Sequence, residues 1–322
     1  MSESLQMNSY MKPLRELLVA LGLFLSPISA SSHEPDIPII DTHLHLWDLS
    51  RPAGIYWIAK DNQILYRSML PETFEPIAKI NGVRGVVVVQ AGQSLPDNQW
   101  NLDITANNKQ LFLGVVGNLS EVIGTNQFKP LFLDLCRDKR YVGYRLSGRY
   151  QEELSDELFR DLQLTVQNGR TVDILVGGYS LEDVATVAKR VPNLKIIMDH
   201  FGGVRLGEGP LTDEWIKKFR AVAKHPNVYC KVSALFGRFK KQPAPTNIET
   251  YRPILDLAFE CFGRDRLVFG SDWPVTRQTN EYAAVLKLTR VYFDAKGRDS
   301  SEKLFYKNAM RFYGVELDTS RQ

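Results

Sequence analysis

Eight short apolar runs recur along this chain with helix-like stretches between them, and that alternation constrains the fold more than any other feature. The runs lie at 39–46, 83–90, 112–119, 142–147, 171–176, 195–200, 228–235 and 266–271. Val86-Val87-Val88-Val89 and Ile196-Ile197-Met198 are continuous rather than alternating. Such runs suit strands covered on both faces, as in a parallel sheet. Residues 155–168 carry Leu158, Phe159, Leu162 and Val166 at helical spacing, with Ser155 placed to cap them. Leu181, Val184, Val187 and Ala188 mark one face of 180–191, and Trp215, Phe219 and Val222 one face of 212–224. Eight βα units over about 275 residues form the repeat of an α/β (β/α)8 TIM barrel. A doubly wound open sheet is the competitor, but no Gly-x-Gly-x-x-Gly turn follows the first run.

The 322 residues are 44% hydrophobic and 24% charged, ordinary for a soluble globular protein. A net charge of +3 with no basic run gives no footprint for nucleic acid. Cys136, Cys230 and Cys261 lack metal-ligand spacing and read as buried free thiols. Near the N-terminus, Lys12 and Arg15 precede the apolar run Leu17 to Leu25, and Ile28-Ser29-Ala30 offers a small residue for cleavage. The run is too short to span a bilayer and fits a secretory signal. Glu16 beside it favours the alternative, an amphipathic helix packed on the domain. The expected organisation is a signal peptide at 1–30, a linker at 31–38, a barrel at 39–314 and a tail at 315–322. The mature chain is then extracytoplasmic, periplasmic or secreted, with no stable membrane span.

The first run ends in chemistry. In Ile39-Ile40-Asp41-Thr42-His43-Leu44-His45-Leu46-Trp47, strand alternation points Asp41, His43 and His45 the same way. Two imidazoles on one face, about 7 Å apart along the strand, can converge on one ion or one substrate group. A solvated pair of rings is the plainer alternative. The active site of a barrel lies at the C-terminal ends of its strands, and other runs also end in polar or ionisable groups. The second ends in Gln90, the fourth carries Arg145, and the sixth ends in Asp199-His200. The seventh carries Lys231 and Ser233, and the eighth ends in Ser271-Asp272. That regularity argues for one site built from many strands.

Asp-Thr-His-Leu-His-Leu-Trp-Asp at 41–48, Asp-His-Phe-Gly-Gly at 199–203, Cys-Lys-Val-Ser-Ala at 230–234 and Gly-Ser-Asp-Trp-Pro-Val at 270–275 resemble the amidohydrolase superfamily. Within it they resemble the amidohydrolase-related branch of lactonases acting on sugar-acid and dicarboxylate lactones. Asn308-Ala309-Met310-Arg311-Phe312-Tyr313 is similar to the same branch. The resemblance covers roughly 39–314. It implies a TIM barrel of the metal-dependent hydrolase type that hydrolyses a ring ester of a small-molecule substrate. It maps the strand-1 and strand-6 histidines and the strand-8 aspartate onto His43, His45, His200 and Asp272. Binuclear members carry a lysine or glutamate on strand 4 and a histidine on strand 5. Here those strands offer Arg145 and Thr171-Val172-Asp173-Ile174-Leu175-Val176, so two metals are not expected. His43, His45, His200 and Asp272 suffice for one divalent ion, zinc first. The branch also holds metal-free enzymes, so activity without metal stays open.

Roles follow from residue type. Asp272 is the expected general base, with helix capping as its alternative. His200 and Arg145 complete the catalytic set. Arg145 either grips a substrate carboxylate or the developing oxyanion, or pairs with Asp173. Gln90, Lys231 and Trp47 are candidate substrate contacts; a buried ion pair is an equal reading for Lys231, and an aromatic core patch for Trp47, Tyr56 and Trp57. Asp41 is expected to hydrogen-bond within the barrel, and Gly202-Gly203 to form a sharp turn. The expected reaction is lactone ring opening by water. A non-redox decarboxylase and an exported binding protein without turnover are the alternatives.

Overall fold

A computed structural model describes residues 36–318, apart from 53, 93, 149–153, 240 and 241. The proposed signal segment therefore lies outside the described residues. Eight parallel strands run in the order of the sequence: β1 (Ile39–Leu44), β2 (Val83–Val89), β3 (Phe112–Asn118), β4 (Tyr141–Leu146), β5 (Thr171–Ile174), β6 (Ile196–Met198), β7 (Val228–Val232) and β8 (Leu267–Phe269). Neighbours pair from β1 through β8. The ring closes just past β8, where Leu44 bridges Trp273 and the Asp272 amide donates to the His43 carbonyl at 2.8 Å. This is a (β/α)8 barrel. Every strand but β4 is shorter than its apolar run, because the last residues of several runs leave the ladder to enter the site.

The helices between strands are α1 (Pro71–Ile80), α2 (Pro96–Ile104), α3 (Phe128–Leu135), α4 (Asp156–Gln167), α5 (Leu181–Arg190), the single turn α6 (His200–Gly203), α7 (Asp213–Ala223) and α8 (Ile248–Phe262). After β8 come α9 (Tyr282–Asp294), α10 (Arg298–Glu302), a π-helical turn at Lys303–Lys307 and α11 (Asn308–Tyr313). Local signals set their starts. Ser155 accepts from the Leu158 amide, Ser180 and Asp183 form a reciprocal capping box, and Thr212 accepts from the Trp215 amide. No helix among the described residues is long and apolar enough to cross a membrane. Cys230 is buried, while Cys136 and Cys261 are only half-buried; all three are free thiols.

Strand alternation divides the core in two. Val86 and Val88 face the helices, whereas Val87 and Val89 face inward with Ile40, Val116, Val142, Ile197 and Val268. The inner cluster is closed from below by Ala309, Phe312, Tyr313 and Val315. Asn308 ties α11 there by donating to the Arg264 and Leu267 carbonyls, and Lys195 donates to the Arg311 and Phe312 carbonyls. These partners lie at the N-terminal ends of β6 and β8, so α11 plugs the barrel floor opposite the site. Val315, assigned to a tail by sequence, belongs to this plug.

Candidate active site

Strand β1 does not carry its polar residues on one face. A register shift between Asp41 and Leu44 breaks the alternation. Asp41 points to the helix layer, where its carboxylate accepts from Tyr282 of α9 at 3.1 Å and from the Ser271 and His43 amides at 2.9 and 3.1 Å. A bulge adds a residue on one side of a ladder and re-aims the side chains beyond it. His43 and His45 thus enter the mouth while Asp41 braces the junction of β1 with the segment after β8. Burial raises the Asp41 carboxyl above its ordinary range, against these hydrogen bonds.

Four other residues at the strand ends depend on backbone turns rather than strand register. Asp272, His200 and Phe201, and Ala234 have φ of 61°, 52° and 54°, and 55°. All sit one to three residues past β8, β6 and β7, in the left-handed region that costs non-glycine residues about 1–2 kcal/mol. Gly202 and Gly203 continue the α6 turn at φ of 67° and 74° without that cost. Arg238 straps this turn, donating to the Val204 carbonyl at 2.7 Å and to the Gly203 carbonyl. Gly270 leaves no room for a side chain: a Cβ there would lie 2.6 Å from the His43 Cβ.

These turns bring the groups together. The donor atoms of His43, His45 and Asp272 all lie within 4.8 Å of one another. His45 Nε2 is 3.3 Å and His43 Nε2 is 3.8 Å from Asp272 Oδ1. The ring of His200 lies 4.5 Å from that of His43, and its Nδ1 is 2.8 Å from Ser233 Oγ. His200 stands beside the close donor group formed by His43, His45 and Asp272. Burial, and next the charge of Lys231, hold His43 neutral far below the ordinary histidine range. Burial and then His43 do the same for His200. Burial raises the Asp272 carboxyl, making it a stronger base than a solvated aspartate, against the pull of His45.

The remaining candidates fall into place around this group. Arg145 donates to the carbonyl and side-chain oxygens of Gln90 at 3.0 and 2.7 Å. It lies 3.9 Å from Asp199, so its ionic partner is not Asp173. Gln90 acts on Arg145 and on the Gly92 carbonyl, and orients the guanidinium. Lys231 is wholly buried beneath His43, with Asp173 at 2.5 Å and Asp199 at 3.1 Å. This is the arrangement of the buried ion-pair reading. Trp47 lies in the core with its indole donating to the Arg67 carbonyl at 2.7 Å, and it also lines a small cavity with Arg51, Ala91 and Asp97. Trp57 donates to the Ala91 carbonyl at the end of β2, while Tyr56 is 66% exposed. Asp199 and Ser233 were named by sequence among the strand-end residues but given no individual role, while Gly270 and Tyr313 were given none. Tyr313 gave no signal, because it reaches Asp173 from the far end of the chain, at 3.0 Å.

The donor set fits one divalent cation. His45 Nδ1 faces the Val89 carbonyl at 2.8 Å, an atom that only accepts, so this nitrogen carries the proton and Nε2 presents a lone pair. That lone pair faces a carboxylate oxygen at 3.3 Å, an approach that a proton or a cation between them relieves. His43 Nε2 is buried with no hydrogen-bond partner. Two imidazoles and one carboxylate leave open positions for water or substrate, as catalytic zinc sites do.

The chain is 28% identical over 294 residues to an L-fucono-1,5-lactonase of Burkholderia ambifaria, covering 88% of this chain and 98% of that protein. It is 23% identical to an L-rhamnono-gamma-lactonase of Scheffersomyces stipitis, covering 86% and 98%. A solved amidohydrolase of Burkholderia multivorans with bound zinc shares the fold, with a TM-score of 0.76 at 24% identity over 86% of this chain and 99% of that one. The amidohydrolase family model matches residues 40–315, the whole barrel from β1 to the floor plug, and the chain belongs to that family.

Proposed function

We propose that this protein is a hydrolase that opens the ring ester of a sugar-acid lactone by attack of water. The observation that carries this reading is the Asp272 carboxylate, raised in basicity and facing His43 and His45, at the mouth of a barrel whose curated relatives are sugar-acid lactonases. Asp272 accepts a proton from the attacking water. Neutral His43 and His200, with the charge of Arg145 behind them, favour negative charge on the ester oxygen as the tetrahedral centre forms. Asp272 then returns the proton to the leaving alkoxide. A divalent cation held by His43, His45 and Asp272, with zinc the best match to imidazole and carboxylate, would supply Lewis acidity to the carbonyl and acidity to water.

The test is acid release from L-fucono-1,5-lactone and L-rhamnono-γ-lactone, followed with a pH indicator, with metal content measured on the same sample. Asp272→Asn keeps shape and hydrogen bonding but removes the base. It should lower the rate by about 10²-fold or more while the protein stays folded. Wild-type turnover in that variant would end the mechanism, and CO₂ release in place of acid would select the decarboxylase reading.

We also propose export, with a mature N-terminus near Ser31. The basic residues, the apolar run Leu17 to Leu25 and Ala30 support it. Intact-mass analysis of native protein that retains residues 11–30 would rule it out.

A further inference from the structure

We infer that Lys231 is a positioning residue that fixes the proton of His43 on Nε2, so that the two histidines of β1 carry opposite tautomers and the site resists capturing a metal through His43. The inference concerns the proton arrangement of the site and does not rest on which ester the site opens.

An ammonium has three donors and no acceptor. Lys231 Nζ has three polar neighbours: Asp173 Oδ2 at 2.5 Å, Asp199 Oδ1 at 3.1 Å and His43 Nδ1 at 3.1 Å. Asp173 and His43 Nδ1 are its hydrogen-bond partners, and Asp199 is an ion-pair neighbour; an ammonium can only donate to each of them. His43 Nδ1 must then present its lone pair to Lys231. A neutral imidazole has one N–H, which leaves it on Nε2. That atom is buried, unpartnered and aimed toward Asp272 Oδ1 at 3.8 Å. His45 is set the other way. The Val89 carbonyl holds its Nδ1–H, so its Nε2 carries a lone pair. One histidine of the pair offers a donor to the mouth and the other an acceptor.

A metal needs a lone pair on His43 Nε2. The proton would have to move to Nδ1, where it meets the Lys231 ammonium at 3.1 Å. Its other acceptor, Asp199 Oδ1 at 3.3 Å, already faces Lys231. Metal loading therefore has to turn the lysine away from His43 Nδ1 and hand that proton to Asp199 Oδ1, which has no hydrogen-bond partner among the described residues. Lys231 does not yield easily. Asp173 holds it from below and is itself held by Tyr313 on the floor helix α11, at 3.0 and 3.2 Å. A buried polar column thus runs from the plug to the mouth, and Lys231 is the member that meets the histidine. Removing a partner that supports a metal ligand typically costs about 10–100-fold in metal affinity; Lys231 opposes the ligating tautomer, so its removal should act with the opposite sign.

The test uses the full chain labelled with ¹⁵N in histidine. Long-range ¹H–¹⁵N spectra, assigned with His43→Asn and His45→Asn, should place the proton of His43 on Nε2 and that of His45 on Nδ1. Zinc titrated by calorimetry should bind Lys231→Met about tenfold or more tighter than wild type, and the His43 proton should move to Nδ1 in that variant once zinc is bound. Lys231→Met leaves two buried carboxylates without their cation, so Lys231→Met/Asp173→Asn serves if the single change does not fold. A merely structural lysine would alter stability but leave the His43 tautomer where it was. A wild-type spectrum with the His43 proton on Nδ1, or zinc affinity that is unchanged or weaker once the lysine is gone, overturns the inference.

Discussion

Asp272, His200, Phe201 and Ala234 are held in the left-handed backbone region where the chain leaves β8, β6 and β7. Such positions persist only when the surroundings over-determine them, and they gather at functional sites. Two predictions belong at this scale. Ala234 carries no group used in the chemistry, so Ala234→Gly removes steric cost and keeps the turn. Stability should rise by about 0.5–1 kcal/mol, the left-handed penalty less the added chain entropy of glycine; a lower urea midpoint would contradict this. Gly270→Ala should do the opposite. Its Cβ would meet the His43 Cβ at 2.6 Å and the His43 amide at 3.2 Å, so β1 has to move. Overpacking of this kind costs about 1–3 kcal/mol, and lactone turnover should fall with it because His43 shifts.

Among the elements, α11 contributes most beyond its length. Its six residues seal the inner core and place Tyr313 under Asp173. Phe312 is buried between Tyr229 and the inner valines. Phe312→Ala should destabilise by about 3–5 kcal/mol, the usual cost of a cavity of that size. Chemical denaturation checks it, and a loss below about 1 kcal/mol would show that the barrel floor is closed by other means. The outer helices depend on local signals instead. Thr212→Ala removes the acceptor for the Trp215 amide and should cost only about 1 kcal/mol.

For the whole molecule, buried neutral histidines couple stability to pH. His43 and His200 have folded values far below 6.5, chiefly through burial. Once unfolded, both take up protons as pH falls through 6.5, and the folded state cannot follow. The unfolded chain then binds more protons, so stability is full above 6.5 and is lost as pH drops below it. The buried carboxyls act with the opposite sign and lower down. Asp173 is raised to about 6, chiefly by burial, so its ionised form costs stability above that pH and the cost fades below it. Between pH 7.5 and 6 the histidines should dominate, with a loss on the order of 1 kcal/mol. Urea midpoints at the two pH values measure this. His200→Asn should shrink the difference, and an unchanged difference would place the coupling elsewhere.

What the sequence determined by itself was everything with a short repeat. Continuous apolar runs marked all eight strands, and Ser155 marked a helix start, because strand burial and capping are local. The same runs ended in His43, His45, Arg145, His200 and Asp272, so the mouth of the barrel was legible before any contact was known. Tertiary structure decided the rest. The bulge that turns Asp41 outward depends on pairing between β1 and β2, and the partner that receives Asp41 is Tyr282, 241 residues away. Arg145 turned to Gln90 rather than Asp173, and Asp173 is held instead by Lys231, two strands along the sheet and 58 residues away. Left-handed exits at Ala234 and Asp272 leave no mark in residue type, since neither residue requires that conformation. Periodicity specifies which faces are buried. Which buried charge meets which is set by separations too long for any local pattern to encode.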